Sequence, residues 1–263
     1  MNILDTIVAQ KKVEVENAKK HNSISVLQKM PYFNRDTFSL KNILKEGIST
    51  GIIAEFKRKS PSKGFINANA NIVDVTNSYA QFAAGISVLT DTSFFGGSFH
   101  DLQEARVQKV PILRKDFMID DYQIYEAKAI GADVILLIAA CLSPKQVKTL
   151  AKLAKQLNLE VLLEIHCADE LQHICDEVDM VGVNNRNLKT FNVNIETSLQ
   201  LITQIPAHKI PITESGITNV ETICKLKKAG FKGFLMGENF MKNANPGMAF
   251  SLFVEQLNQT SCE

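Results

Sequence analysis

Charged and amide side chains directly follow several short apolar runs of this sequence. In the first run, residues 52–54 lead into Glu55 and Lys57, which share one face of a strand because side chains alternate along it. Similar endings recur downstream, at Arg114, Lys115, Glu164, Asn184, Glu214 and Ser215. An ammonium and a carboxylate that meet at one place can donate and accept protons. The pattern therefore predicts general acid–base chemistry.

Any one of these groups could equally belong to a structural ion pair that caps a core. As a set on different strands they are harder to explain that way, because buried charge is costly. Barrel enzymes assemble their catalytic residues at the carboxyl ends of the strands. The whole set therefore favours an active site at one rim.

Two glycine-containing turns predict an anion site. Ser215 and Gly216 precede a helix that we expect to begin near Thr218, and Gly237 and Glu238 follow the last apolar run. Glycine lets backbone N–H groups approach a phosphate. Either turn alone could be ordinary, but the pair after the last two runs favours phosphate binding.

Residues 57–64, KRKSPSKG, form a basic loop directly after the first run. We interpret it as a mobile flap over an anionic substrate. A nucleic-acid patch is the weaker interpretation, because 29 Lys and Arg against 28 Asp and Glu leave a net charge of only +1. We therefore expect a small phosphorylated partner and no nucleic acid.

The elements that must position these residues are eight β-branched runs, which begin at residues 51, 87, 110, 133, 160, 179, 210 and 233. Helical patterns such as residues 143–157 separate them, and the spacing of roughly 20 to 35 residues suits strand and crossover helix repeated. The pattern predicts an α/β fold, a (β/α)8 TIM barrel. An open doubly wound sheet is the alternative, but it usually needs fewer strands.

Residues 1–263 are predicted to form a single barrel domain, with residues 1–50 as an N-terminal helical extension. Ile3, Leu4, Ile7 and Val8 have the spacing of an amphipathic helix. Five dispersed cysteines without C-x-x-C spacing argue against a disulfide framework or a zinc site and suggest a reducing cytoplasm. The N-terminal residues contain no uninterrupted apolar core of signal-peptide length, and no segment approaches the roughly 18 apolar residues of a membrane span.

Six motifs resemble the indole-3-glycerol phosphate synthase family, and the resemblance runs from the extension to the last strand. They are AEFKRKSPSKG at 54–64, LRKDF at 113–117, LLEIH at 162–166, VGVNNRNL at 181–188, ESGI at 214–217 and GFLMGE at 233–238. The resemblance implies ring closure, decarboxylation and dehydration of 1-(2-carboxyphenylamino)-1-deoxyribulose 5-phosphate. It implies no metal or organic cofactor, and it implies N-terminal helices across the barrel mouth.

The resemblance also implies roles. Lys115 is the leading general acid, Glu164 the base, and Lys57 holds the anionic substrate or assists in proton transfer; which lysine donates in which step stays open. The other expected catalytic residues are Glu55, which orients the lysines, Asn184, which holds a sugar hydroxyl, and Ser215. Substrate contacts are expected from Ser60, Arg186 and Glu214, and phosphate contacts from backbone N–H groups of Ser215, Gly216, Gly237 and Glu238.

An apolar slot for the aromatic ring is expected from Pro61, Phe95, Phe117 and Leu136, although ordinary packing would explain aromatic residues there equally well. The five histidines are expected to be non-catalytic, with His166 the one to test. A monomer is the family-like expectation, and association with other tryptophan-pathway enzymes stays open.

Two rival functions remain. Phosphoribosylanthranilate isomerase or a tryptophan synthase α subunit would share the phosphate-site pattern but lacks the KRKSP and KDF motifs together. A catalytically silent barrel that only binds a phosphorylated metabolite would not need Lys115 and Glu164 on separate strands.

Overall fold

A closed barrel of parallel strands forms the centre of the computed structural model, which describes residues 3–47, 49–188, 190–260 and 262. Each strand pairs with its sequence neighbours, and β1 pairs with β8 to close the ring. The strands are β1 Ile52–Phe56, β2 Gly85–Leu89, β3 Ile112–Lys115, β4 Val134–Ile138, β5 Glu160–Ile165, β6 Met180–Asn184, β7 Ile210–Glu214 and β8 Gly233–Met236. The predicted TIM barrel is confirmed.

Helices precede the barrel and alternate with its strands. They are α1 Ile3–His21, α2 Ile24–Leu27, α3 Leu40–Glu46, α4 Ile72–Tyr79, α5 Thr92–Phe95, α6 Phe99–Ala105, α7 Tyr122–Ile130, α8 Pro144–Gln156, α9 Glu196–Leu201, α10 Val220–Ala229, α11 Glu238–Met241 and α12 Pro246–Gln259. Short 3-10 turns occur at Ala139–Cys141, Ala168–His173 and Ile202–Gln204. The helix expected near Thr218 begins at Val220, where the Asn219 side chain accepts the Thr222 N–H.

The strand register sets the functional side chains at one level of the barrel. Lys115 lies beside Leu89 of β2, and Glu164 lies beside Ile138 of β4. Asn184 lies beside Glu214. Because all strands are parallel, their carboxyl ends open at the same mouth.

One crossover is shorter than the sequence pattern predicts. The segment between β5 and β6 forms the 3-10 turn Ala168–His173 where the repeat calls for a full α-helix. His173 fixes this turn, since its ring nitrogens lie 3.0 Å from the Glu170 carbonyl and 2.9 Å from the Leu142 carbonyl. The connection from β5 to β6 is therefore short.

The N-terminal extension closes the end of the barrel opposite the mouth. Leu40 and Leu44 of α3 are each 1% exposed and pack with the interior residues of the strands. A Cβ added at Gly85 would lie 3.0 Å from Leu40 Cδ1, and one added at Gly233 would lie 3.2 Å from Leu44 Cδ1. The expectation that the extension lies across the mouth is therefore wrong for α3.

Ion pairs and hydrogen bonds hold this part of the extension to residues at the amino ends of the strands. Arg35 lies 2.6 Å from the Asp133 carboxylate, just before β4. The Ser39 hydroxyl donates to Glu160, the first residue of β5. These contacts explain why Asp133 and Glu160 lie at the starts of strands, far from the mouth.

Helix α1, in contrast, packs beside the mouth and is held there by a buried lysine. Lys11 is 4% exposed, and its ammonium lies 3.0 Å from both Asp91 Oδ2 and Asp116 Oδ1. Burial disfavours the charged form, but Asp116 and Asp91 outweigh it and raise the pKa of Lys11. Because Asp116 directly follows Lys115, α1 is tied to the strand end that carries the predicted acid.

A disulfide joins Cys224 of α10 to Cys262, 38 residues further along the chain. The sequence analysis expects no disulfide framework, and this cross-link corrects it. Dispersed cysteines can meet when α10 and the segment after α12 lie side by side, and sequence spacing does not report that. The cysteines therefore give no support to a reducing compartment. Among the described residues, no helix combines the length and apolar character needed to cross a membrane.

The Lys11 contacts predict a stability effect. Lys11→Met keeps the side chain's bulk but leaves two buried carboxylates short of a partner, so we expect the free energy of unfolding to fall by roughly 3–5 kcal/mol. Urea unfolding followed by circular dichroism would measure it. Lys12→Met, at the exposed neighbouring position, is the control; equal stability of the two variants would contradict the anchoring role.

Candidate active site

A lysine held between two carboxylates lies at the base of the mouth. Lys115 Nζ is 2.7 Å from Glu164 Oε2 and 2.7 Å from Glu214 Oε2. The three residues end β3, β5 and β7, so parallel strand order converges them from separate parts of the sequence. Their side chains are largely buried, which strengthens the attraction between opposite charges.

A second ion pair forms on β1. Lys57 donates to Glu55 Oε1 at 2.7 Å, and Ser87 of β2 donates to Glu55 Oε2 at 3.4 Å. A Cβ added at Gly237 would lie 2.8 Å from Glu55 Cβ, so glycine is required where β8 passes this carboxylate. Glu55 and Lys57 both line the mouth as this ion pair.

Glu164 is fixed through both carboxylate oxygens. Its Oε2 accepts Lys115, and its Oε1 accepts the Asn184 side-chain amide at 3.2 Å. Asn184 in turn accepts the Arg186 backbone N–H at 3.0 Å through Oδ1, which fixes the orientation of its amide. The two predicted residues of β5 and β6 thus act as one unit.

The pKa values separate these groups into distinct protonation states. Burial opposes the charge on Lys115, but Glu164, Glu214 and Glu55 outweigh it and hold its pKa well above the ordinary value. Burial likewise opposes the charge on Glu164, but Lys115 and His166 hold the pKa of Glu164 below its ordinary value. Near neutral pH this unit therefore holds an ammonium and a carboxylate.

Glu214 behaves differently, although it contacts the same lysine. Burial, together with the nearby charges of Glu164 and Glu55, outweighs Lys115 and raises the pKa of Glu214 to about 7. A Cβ added at Gly182 would lie 2.5 Å from Glu214 Oε1, so a glycine inside β6 makes room for this carboxyl group. Gly182 was missed as a site residue, although a glycine in a strand interior is a signal of close approach.

The cleft above these charges is partly open to solvent. Phe95 and Phe117 form one wall, with ring centroids 5.9 Å apart. Predicted site residues whose side chains line it are Glu55, Lys57, Ser60, Pro61, Phe95, Lys115, Phe117, Leu136, Glu164, Asn184, Arg186, Glu214, Ser215 and Glu238. The structure thus brings these predicted residues together around one cleft.

Helix α1 adds apolar lining that the residue-by-residue prediction missed. Ile3, Leu4 and Ile7 line the cleft, as do Leu188 and Phe191 from the loop after β6. The amphipathic spacing of the first three residues was the available signal, but it does not state which surface the apolar face covers. For α1, the expected position at the mouth agrees with the structure.

The predicted phosphate turns lie after β7 and β8. Ser215 has φ 66° and Gly216 has φ 77°, so the chain turns through two successive left-handed residues. A Cβ added at Gly216 would lie 2.5 Å from Val193 Cγ1. Within the described residues, the backbone N–H groups of Ser215, Gly216, Gly237 and Glu238 donate to no protein acceptor.

The basic loop after β1 forms a short antiparallel hairpin between Lys59–Ser60 and Gly64–Phe65. Arg58 makes two 2.8 Å hydrogen bonds to the Asp101 carboxylate. Lys63 lies 2.5 Å from Glu238 and so reaches from this loop to the end of β8. The loop therefore overlies one side of the cleft.

The family model of indole-3-glycerol phosphate synthase matches residues 4–252 of this chain. The chain is 47% identical over 258 residues to an indole-3-glycerol phosphate synthase of Bacteroides thetaiotaomicron, covering 97% of this chain and 99% of that relative. An indole-3-glycerol phosphate synthase of Verminephrobacter eiseniae is 41% identical over 261 residues, covering 95% and 98%.

Among solved structures, a mutant tryptophan synthase α-subunit of Pyrococcus furiosus matches with a TM-score of 0.60 and 16% identity, covering 80% of this chain and 98% of that one. This likeness shows the barrel fold alone. The family match, in contrast, takes in α1 and all eight strands, and the relatives align over nearly their full lengths. On that basis this chain belongs to the indole-3-glycerol phosphate synthase family of carboxy-lyases.

Proposed function

We propose that this chain converts 1-(2-carboxyphenylamino)-1-deoxyribulose 5-phosphate to indole-3-glycerol phosphate, CO₂ and water. The observation that carries the proposal is the Lys115 ammonium held between Glu164 and Glu214 at the base of a partly apolar cleft. Family membership supports the same reaction. A cleft for metabolite binding alone would not need an acid and a base on separate strands.

The substrate's phosphate binds at the turns after β7 and β8 in this proposal. Four backbone N–H groups that have no protein acceptor among the described residues can donate to its oxygens: those of Ser215, Gly216, Gly237 and Glu238. The aromatic ring lies against Phe95 and Phe117, with Pro61 and Leu136 completing the slot. This arrangement sets the ribulose ketone between the phosphate turns and the aromatic wall, near Lys115.

Ring closure joins the carboxylate-bearing aromatic carbon to the ketone carbon. Negative charge develops on the ketone oxygen, and Lys115 donates a proton to it. In the resting site two of the three N–H groups of the Lys115 ammonium face Glu164 and Glu214, so the third can donate to the substrate oxygen. Loss of CO₂ then restores the aromatic ring and leaves a hydroxyl group on the new ring.

Dehydration removes that hydroxyl as water. An ammonium of Lys115 or Lys57 supplies the proton to the leaving oxygen, and Glu164 accepts the proton lost from the adjacent ring carbon. Asn184 holds a sugar hydroxyl, with Arg186 and Glu238 at the cleft's edge. Overall one proton is taken from solvent, because the carboxylate leaves as neutral CO₂.

The compartment and the oligomeric state of the protein are predictions as well. We propose a cytoplasmic monomer that acts on a small phosphorylated substrate. Association with other enzymes of tryptophan biosynthesis stays open. Gel filtration with light scattering would measure the oligomeric state.

The purified chain is expected to form indole-3-glycerol phosphate from the authentic substrate in buffer without added cofactor or metal. The chain contains no Trp, so indole fluorescence and absorbance rise from a low background. Folding is checked beforehand by circular dichroism. A flat trace from folded protein would contradict the proposed function.

Lys115→Met is expected to lower kcat by at least about 100-fold, the lower end for loss of a general acid. KM should change much less, because the phosphate turns and the aromatic wall remain. Lys148→Met, at an exposed position of α8, is the matched control and should leave kcat unchanged. Near-normal turnover of the Lys115 variant would remove this residue from the acid role.

A further inference from the structure

His166 lies just behind the proposed base rather than in the cleft. Its Nε2 is 3.2 Å from Glu164 Oε1, and its Nδ1 is 3.2 Å from Glu170 Oε2. The imidazole side chain is 11% exposed. It does not line the cleft, so any influence on the substrate must pass through Glu164.

The short turn after β5 is what brings Glu170 to this histidine. Glu170 Oε2 accepts the His166 backbone N–H at 2.6 Å as well as facing its ring. His173 fixes the same turn through the carbonyls of Glu170 and Leu142. A full crossover helix would have led the chain away from the rim at this point.

Two carboxylates that face both ring nitrogens select one charge state. A neutral imidazole has a single N–H, so one carboxylate would meet a lone pair. Burial lowers the pKa of His166, but the close contacts with Glu164 and Glu170 outweigh it and raise the pKa to about 10. The nearby Cys141 adds no charge, because burial and the same two carboxylates raise its pKa to about 12.

We propose that His166, oriented by Glu170, is a positioning residue that keeps Glu164 ionised and aimed into the cleft. The inference rests on the proposed function, in which Glu164 is the base. In the resting site Glu164 Oε2 accepts Lys115, while Oε1 faces His166 and Asn184. When Lys115 has given its proton to the substrate oxygen, His166 is the cation that remains beside Glu164, and without it burial would favour the protonated acid.

Steady-state kinetics across pH on the full chain test this role. His166→Ala is expected to lower kcat by about 10- to 100-fold, the size expected for loss of one buried charged contact, with KM changed by less than about 3-fold. The acid limb of the kcat profile should move to higher pH, because Glu164 loses a neighbouring positive charge. His208→Ala, at an exposed site, is the control and should match the wild type.

Two conservative variants separate positioning from simple destabilisation, and they serve if His166→Ala does not fold. His166→Gln keeps a donor near Glu164 without the charge, so it should recover part of kcat while the acid limb stays displaced. Glu170→Gln removes the carboxylate that orients the ring, so it should lower kcat by less than His166→Ala does.

The outcomes are distinct. If the wild-type chain forms no product, the proposed function fails before the histidine is considered. If the wild type turns over and the folded His166 variants keep its kcat or its acid limb, the positioning role is wrong and the proposed function stands.

The histidine also predicts a pH dependence of stability. Its folded pKa of about 10 lies above the unfolded value of 6.5, so its contribution is fully present below pH 6.5 and is lost as pH rises through about 10. The difference in unfolding free energy between wild type and His166→Gln should therefore shrink over that interval. A difference that is constant with pH would show that the ring is neutral in the folded chain.

Discussion

The attraction between the Lys115 ammonium and the carboxylates of Glu164 and Glu214 is the interaction around which the mouth is organised. Burying one of these charges alone would cost several kcal/mol, so each strand end requires the others to be in place. The parallel register supplies that condition by bringing β3, β5 and β7 to a common level. Gly182 and Gly237 then leave the volume that Glu214 and Glu55 occupy.

The same group of charges explains how a stable resting site can still react. The ion pairs keep the proton on Lys115 and the charge on Glu164, which is the arrangement the first step requires. The third N–H of the Lys115 ammonium is available to the reacting oxygen while the other two keep their carboxylate contacts. Glu214, whose pKa is raised to about 7, is the member of the group whose charge changes most readily. Catalysis thus uses contacts that also hold the barrel mouth together.

The sequence predicts the mouth better than the remainder of the molecule, for a physical reason. A polar residue at the carboxyl end of an apolar strand indicates both where its side chain lies and which chemical group it brings there. Lys115, Glu164 and Asn184 could therefore be placed together from the sequence around each of them. The packing of Leu40 and Leu44 against the end of the barrel opposite the mouth could not be predicted, because an amphipathic pattern shows an apolar face but not the surface that it covers. The disulfide between Cys224 and Cys262 and the contact of His166 with Glu170 likewise depend on how distant or irregular segments fold back.

The N-terminal extension contacts both ends of the barrel, with α1 at the mouth and α3 at the opposite end. During synthesis this segment leaves the ribosome before Asp116, Asp133 and Glu160, which hold it and lie about 100 residues further along the chain. Until then the apolar faces of its helices cannot pack against the barrel. Closing such long loops is slow compared with forming local helices. The segment that seals the finished molecule is therefore among the last to find its place, and its apolar faces stay uncovered while the barrel residues that hold it are still being translated.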